Sequence, residues 1–171
     1  MSEYIIQILT NNYDLATHSS KFIVDYPIIS YKNIPIAQDN NQSNEEYIPI
    51  SVLKYNSSFE AIVHYLKSQS GLSLKRISEL TARDQRTIWN VYNKATRKSL
   101  NYSIAQSNIL LPVSILRNRI FSVLESVVFY LSSEYGLSVD QIAHMLGKNY
   151  KTIYTIQKRV INKIGNINAI Q

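Results

Sequence analysis

Gly136-Leu137-Ser138-Val139-Asp140-Gln141-Ile142-Ala143-His144-Met145-Leu146-Gly147-Lys148-Asn149-Tyr150-Lys151-Thr152-Ile153-Tyr154-Thr155-Ile156 reads as a helix-turn-helix. Ser138 is placed to cap a short helix, and Gln141 three residues on completes a capping box. Ile142, Met145 and Leu146 then line one face at helical spacing. Ala143 is small where two helices must cross. Gly147 supplies the positive φ of the turn, and Asn149 can cap a second helix whose Ile153 and Ile156 point back at the first.

The stretch occurs twice. Shifted back by 65 residues, Gly71-Leu72-Ser73-Leu74-Lys75-Arg76-Ile77-Ser78-Glu79-Leu80-Thr81-Ala82-Arg83-Asp84-Gln85-Arg86-Thr87-Ile88-Trp89 matches it without a gap. The match continues upstream, where Phe59-Glu60-Ala61-Ile62-Val63-His64-Tyr65-Leu66 aligns with Leu124-Glu125-Ser126-Val127-Val128-Phe129-Tyr130-Leu131. Further back, Pro49-Ile50-Ser51-Val52-Leu53 resembles Pro112-Val113-Ser114-Ile115-Leu116, the second copy having two more residues between this lead-in and its helix. Chance rarely repeats a motif together with its leading helix and its lead-in, so the chain contains an internal duplication.

In each copy the helix ahead of the motif has its own start signal. Ser57 and Glu60 form one Ser-x-x-Glu box, and Ser122 and Glu125 the other. Phe59, Ile62, Val63 and Leu66, like Leu124, Val127, Val128 and Leu131, keep the spacing of an apolar helix face on which a helix pair can close. The expected fold is all-α, with two tandem three-helix units each containing a helix-turn-helix, behind a short N-terminal segment with candidate strands. The divisions expected are an acidic segment and linker over 1–47, a first unit over 48–98, a linker over 99–111 and a second unit over 112–171.

The first 47 residues contain two β-branched or aromatic runs, Tyr4-Ile5-Ile6-Gln7-Ile8-Leu9 and Phe22-Ile23-Val24, which favour strands over helices. Pro27 and Pro35 keep residues 26–36 extended or turning. Residues 37–46 are almost wholly polar and read as a flexible linker.

Charge divides at the same place. Up to Tyr47, two basic residues face six acidic ones, about −4; from Ile48 onward 16 basic residues face 6 acidic ones, giving +10. A positive module favours a polyanionic partner, with a merely solvated basic surface as the competing reading. No run approaches the roughly 18 continuous apolar residues of a membrane span, and Met1-Ser2-Glu3-Tyr4 shows no signal peptide. A soluble, cytoplasmic protein with no membrane partner is expected. The chain has no cysteine, and His18, His64 and His144 are scattered singly, so neither a disulfide framework nor a zinc site is expected, and no cofactor. No phosphate-binding glycine loop and no nucleophile, base and orienting acid stand together, which argues against an enzyme.

In a helix-turn-helix the first turn and outer face of the second helix meet base edges while its inner face holds the core. With Ile88 and Val91 inward, the first unit presents Gln85, Arg86, Trp89, Asn90 and Asn93. With Ile153 and Ile156 inward, the second presents Tyr150, Lys151, Tyr154, Thr155 and Lys158. Arg and Lys donate to guanine, Asn and Gln pair with adenine, and threonine touches the thymine methyl. Arg86 and Lys151 are the leading base or phosphate contacts. Trp89 and Tyr154 occupy equivalent positions, either against a sugar or base or filling a seam between the units. Arg83, Lys148, Lys94, Arg97, Lys98, Arg159 and Lys163 suit phosphates. Asp84 and Asn149 are helix caps first.

The second unit resembles the DNA-binding fourth region of bacterial sigma factors, through Ile142-Ala143, Leu146-Gly147, the helix start Asn149-Tyr150-Lys151-Thr152-Ile153 and the closing Arg159-Val160-Ile161-Asn162-Lys163-Ile164. The likeness extends over both units at the level of a superfamily pattern. It implies promoter-type reading of double-stranded DNA by Lys151, Tyr154, Thr155 and Lys158. The first unit departs from the pattern at Ser78, Thr81 and Ala82, where a small apolar residue, a larger apolar one and a glycine are usual. Two units of one kind also argue against a complete sigma factor, which needs a different, promoter-melting region ahead of the reading one.

The function expected is therefore sequence-specific binding of double-stranded DNA by a transcriptional regulator, monomeric or weakly dimeric, with RNA polymerase a further candidate partner. The alternatives are a protein-interaction adaptor of the transcription or replication machinery, with Trp89, Tyr92 and Tyr154 as anchors, and the targeting module of a recombinase or replication initiator. The 13 residues of 99–111 span at most about 43 Å, enough to set two units in successive grooves about 34 Å apart. Two short, non-identical half-sites about one helical turn apart are expected.

Overall fold

Caps and turn residues delimit helices of the computed structural model, which describes residues 45–54, 58–98 and 109–168. The expectations for the segment up to residue 44, for the Ser57 cap and for residues 99–108 lie outside the described residues. The first copy runs through strand β1 (Tyr47–Pro49), a 3-10 turn (Ile50–Leu53) and helices α1 (Ser58–Ser68), α2 (Leu74–Thr81) and α3 (Gln85–Arg97). The second repeats that order as β2 (Leu110–Pro112), a 3-10 turn (Val113–Leu116), α4 (Val123–Tyr135), α5 (Val139–Leu146) and α6 (Tyr150–Asn168). The described residues are predominantly helical, as the periodicity implies.

The starts of the helices follow the sequence signals. Ser122 and Glu125, and Ser138 and Gln141, form reciprocal capping boxes at α4 and α5. Ser73 accepts the Arg76 amide at 3.1 Å, Asp84 accepts those of Arg86 and Thr87, and Asn149 accepts that of Lys151 at 2.8 Å. Each bond satisfies an amide that the helix cannot, a contribution of about 1 kcal/mol.

The turn of the second motif uses Gly147 at φ +59°. In the first motif Ala82 takes the same left-handed conformation at φ 49°. The departures from the sigma-like pattern therefore leave the backbone of the motif unchanged, because the polar groups they introduce are satisfied locally. The Thr81 hydroxyl is buried and donates to the Ile77 carbonyl at 2.8 Å; that of Ser78 donates to the Arg83 carbonyl across the turn. Arg119, from the other copy, donates to the Ala82 carbonyl at 3.0 Å.

The two copies are joined through their lead-ins. β1 and β2 pair antiparallel with Ile48 opposite Leu111, Tyr47 opposite Pro112 and Pro49 opposite Leu110. Leu111 is the counterpart of Ile48 in the duplication, so each strand pairs in register with its own copy. The Ile50 amide donates to the Ile109 carbonyl at 3.1 Å, and the equivalent Val113 amide donates to that of Glu46 at 2.8 Å. Packing is exchanged in the same way. α2 lies on the second 3-10 turn and α5 on the first, while the counterparts α1 and α4 touch each other. This is the reciprocal contact pattern of a two-fold interface, realised within one chain.

The strands straddle the boundaries expected between linkers and units, with Tyr47 in one expected linker and Leu110 and Leu111 in the other. Alternation explains why they pair. Ile48 and Leu111, each at most 1% exposed, point into the protein, while Tyr47 and Leu110 point out. The buried side chains of both copies, among them Leu53, Ile62, Leu66, Leu116, Val128 and Leu131, form one cluster rather than two. The spacing of the copies is consequently set by this shared core, not by the reach of residues 99–111.

Candidate nucleic-acid interface

The inner faces of the two second helices are buried as their spacing predicts. Ile88 and Ile153 are fully excluded from solvent, Ile156 is buried and Val91 is half-buried. Their burial fixes what faces outward. On α3, Gln85, Arg86, Trp89 and Asn90 are exposed, and Asn93 is half-buried at the edge of that face. On α6, Tyr150, Lys151, Tyr154, Thr155 and Lys158 are all exposed. Neither helix contains an acidic residue, so each presents only neutral or positive groups.

Trp89 is 53% exposed and Tyr154 39%. They do not fill a seam between the units, because the lead-ins and α1 and α4 form that contact. On α6 the outward aromatics are ordered among themselves. The Tyr150 and Tyr154 rings stack at 6.1 Å between centroids, 11° from parallel, and the Lys158 ammonium lies 4.9 Å from the Tyr154 ring. Positions i, i+4 and i+8 thus form a continuous column along the helix. The corresponding positions of α3 are Gln85, Trp89 and Asn93, so the two faces share a shape but not a chemistry. The Thr155 hydroxyl donates to the Lys151 carbonyl at 2.8 Å, leaving chiefly its methyl group to meet a base. Among the described residues α3 and α6 share no extensive packing, and their outward sets lie on separate helices.

Several basic residues assigned to phosphates by sequence have structural work instead. Lys98 and Lys163 each donate to a buried carboxylate at 2.6 Å, Glu60 and Glu125 respectively, and Lys94 lies 3.1 Å from Glu60. The same acid and the same lysine recur in both copies, tying the C-terminal part of each second helix to the start of the helix beneath it. The Lys98 hydrogen bond, with Lys94 behind it, holds the Glu60 carboxyl below its ordinary range. Burial pushes the Glu125 carboxyl up, but hydrogen bonds from Lys163 and the Ser122 amide outweigh it, and the net effect is again downward. Recurrence of the acid and the lysine 65 residues apart was the signal for these pairs. Periodicity alone reads the lysines as surface charge.

Arg83 is likewise withdrawn from the surface. Its guanidinium lies 4.2 Å from the Phe59 ring and donates to the Leu116 carbonyl of the other copy at 3.2 Å. Burial chiefly, with the nearby Arg119 charge, lowers its pKa. Lys148 is half-buried, whereas Arg97 and Arg159 remain exposed. The exposed cations of α3 and α6 outside these ion pairs are thus Arg86, Arg97, Lys151, Lys158 and Arg159.

Among the described residues no group of three or more His, Asp or Glu side chains could hold a metal ion, and no helix is long and apolar enough to cross a membrane. Comparison with protein-family models, curated proteins and solved structures finds no match to this chain.

Proposed function

We propose that this chain is a sequence-reading double-stranded DNA-binding protein, a cytoplasmic transcriptional regulator that engages two major-groove segments with α3 and α6. The observation that carries this reading is the pair of equivalent second helices, each capped at its start, buried on its inner face, free of acidic residues, and exposing Arg86, Trp89 and Asn90 or Lys151, Tyr154 and Thr155. The likeness of the second unit to the fourth region of sigma factors supports the same assignment. A guanine would be met by Arg86 or Lys151, an adenine by Asn90 or Gln85, and a thymine methyl by Thr155. Arg97, Lys158 and Arg159 would neutralise phosphates.

Selection of bound duplexes from a random pool tests this proposal. A two-part motif should be enriched, with affinity falling at least about tenfold between roughly 50 and 200 mM salt. Inserting about five base pairs between the two parts, half a helical turn, should sharply weaken binding. The exposed aromatics Trp89, Tyr150 and Tyr154 favour a second reading, an adaptor that docks a polymerase or replication protein. Absence of any enriched motif, with association to such a partner that is insensitive to salt, would favour the adaptor.

A further inference from the structure

A tandem duplication joined head to tail leaves the relative orientation of its two reading helices open. The packing of the lead-ins removes that freedom. Ile48 faces its own counterpart Leu111 across an antiparallel pair, which places a local two-fold axis between them. The hydrogen bonds Ile50 to Ile109 and Val113 to Glu46 are interchanged by the same rotation. So is the packing of α2 on the second 3-10 turn and of α5 on the first. The axis therefore relates the two helix-turn-helix motifs as wholes, and it carries α3 onto α6. B-DNA offers matching two-fold axes perpendicular to its length, and a protein two-fold laid on one of them reads the two strands in opposite directions.

Resting on the assignment of α3 and α6 as reading helices, we infer that the cognate DNA carries its two half-sites as an inverted repeat rather than a direct one. The pairing of β1 with β2 in self-equivalent register is the juxtaposition that fixes this orientation. The inversion is hidden in the natural site, because the outward residues of the two helices differ and so do the half-sites they select. The binding site would be two-fold in geometry and asymmetric in sequence.

Equalising the two faces exposes the symmetry. A variant with Gln85→Tyr, Arg86→Lys, Trp89→Tyr, Asn90→Thr and Asn93→Lys gives α3 the outward set of α6; the first four positions are solvent-exposed and Asn93 is half-buried. The reciprocal variant, Tyr150→Gln, Lys151→Arg, Tyr154→Trp, Thr155→Asn and Lys158→Asn, gives α6 that of α3 and serves as a second, independent chain. Selection from a random duplex pool should return a palindrome from each folded variant. The same half-sites placed in direct orientation at equal spacing should bind roughly 100-fold more weakly, the avidity lost when only one unit can engage. A direct repeat, equal affinity for the two orientations, or a single half-site would overturn the inference. Those results, if accompanied by steep salt dependence, would leave the DNA-binding assignment standing. Failure of the wild-type chain and both variants to enrich any duplex would instead overturn that assignment, and the inference with it.

Discussion

Two exposed cations and two buried carboxylates set the expectations that belong to single residues. Arg86 and Lys151 occupy equivalent exposed positions in the first turn of α3 and α6, with their amides held by Asp84 and Asn149. Their replacement by alanine leaves those caps intact. Arg86→Ala and Lys151→Ala should each weaken binding to the selected duplex by about 1–3 kcal/mol without lowering the melting temperature. A loss confined to one base position marks a base contact; an equal loss on random duplexes marks a phosphate contact. Glu60 and Glu125 behave oppositely, as stabilising groups with no access to a ligand. Because their folded-state pKa values lie below the ordinary 4.5, the stability they contribute is present above that value and lost as pH falls through the folded-state values. Thermal melts of the wild type and of Glu60→Gln or Glu125→Gln, taken from about pH 6 down to about pH 3, should therefore converge in acid. A gap that stays constant across the range would show that the carboxylate charge contributes nothing.

The two turns of the helix-turn-helix motifs are tested by reverse substitutions at the same left-handed position. Gly147 is left-handed at φ +59°, and a Cβ there would lie 3.1 Å from Lys54 Cγ and 3.3 Å from the Lys54 carbonyl oxygen. Gly147→Ala combines the cost of about 1–2 kcal/mol for an L side chain in that conformation with a contact against backbone that has little room to yield. Ala82 already bears the conformational cost at φ 49°. Ala82→Gly should relieve it, less about 0.4–1 kcal/mol of added freedom in the unfolded chain, and so come out neutral to slightly stabilising. Denaturant titrations of the two variants decide this, and a destabilising Ala82→Gly would mean that the alanine methyl group packs usefully. The lead-ins add a different element. The second copy has two extra residues before its helix, and Asn118 turns the chain there by accepting the Ile120 amide at 2.9 Å. Phe121 then packs at 5.6 Å from Phe129, in the place where the first copy has His64.

At the level of the molecule, the two copies share one core through β1, β2 and the exchanged 3-10 turns. Unfolding should consequently be a single cooperative transition. Ile88→Ala and Ile153→Ala, both at fully buried positions, should each cost about 2–5 kcal/mol. Because α2 and α5 each rest on the other copy's turn, either substitution should lower one common transition rather than melt one copy alone. Calorimetry that resolved two transitions, only one of them shifted by each substitution, would show that the copies are energetically independent. A shared core also fixes the distance between α3 and α6, which is why the proposed DNA site should be strict in spacing as well as in orientation.

Much of the local structure was legible in the sequence. Ser122, Ser138, Asp84 and Asn149 cap helices through bonds between residues two or three apart, and the inward Ile88 and Ile153 follow from a 3.6-residue period. Both are short-range effects that one stretch of chain determines by itself. The duplication was equally plain, because it is a property of residue order. What only tertiary structure decided is how the copies meet. A three-residue strand carries almost no periodic signal, so Tyr47 and Leu111 passed for the ends of linkers, and the pairing of Ile48 with Leu111 left no trace in the sequence. Lys98, Lys163 and Arg83 looked like surface cations because their partners, Glu60, Glu125 and the Leu116 carbonyl, are 38, 38 and 33 residues away. Burial and two-fold symmetry arise from contacts between distant segments, and those exist only once the chain has folded around a common core.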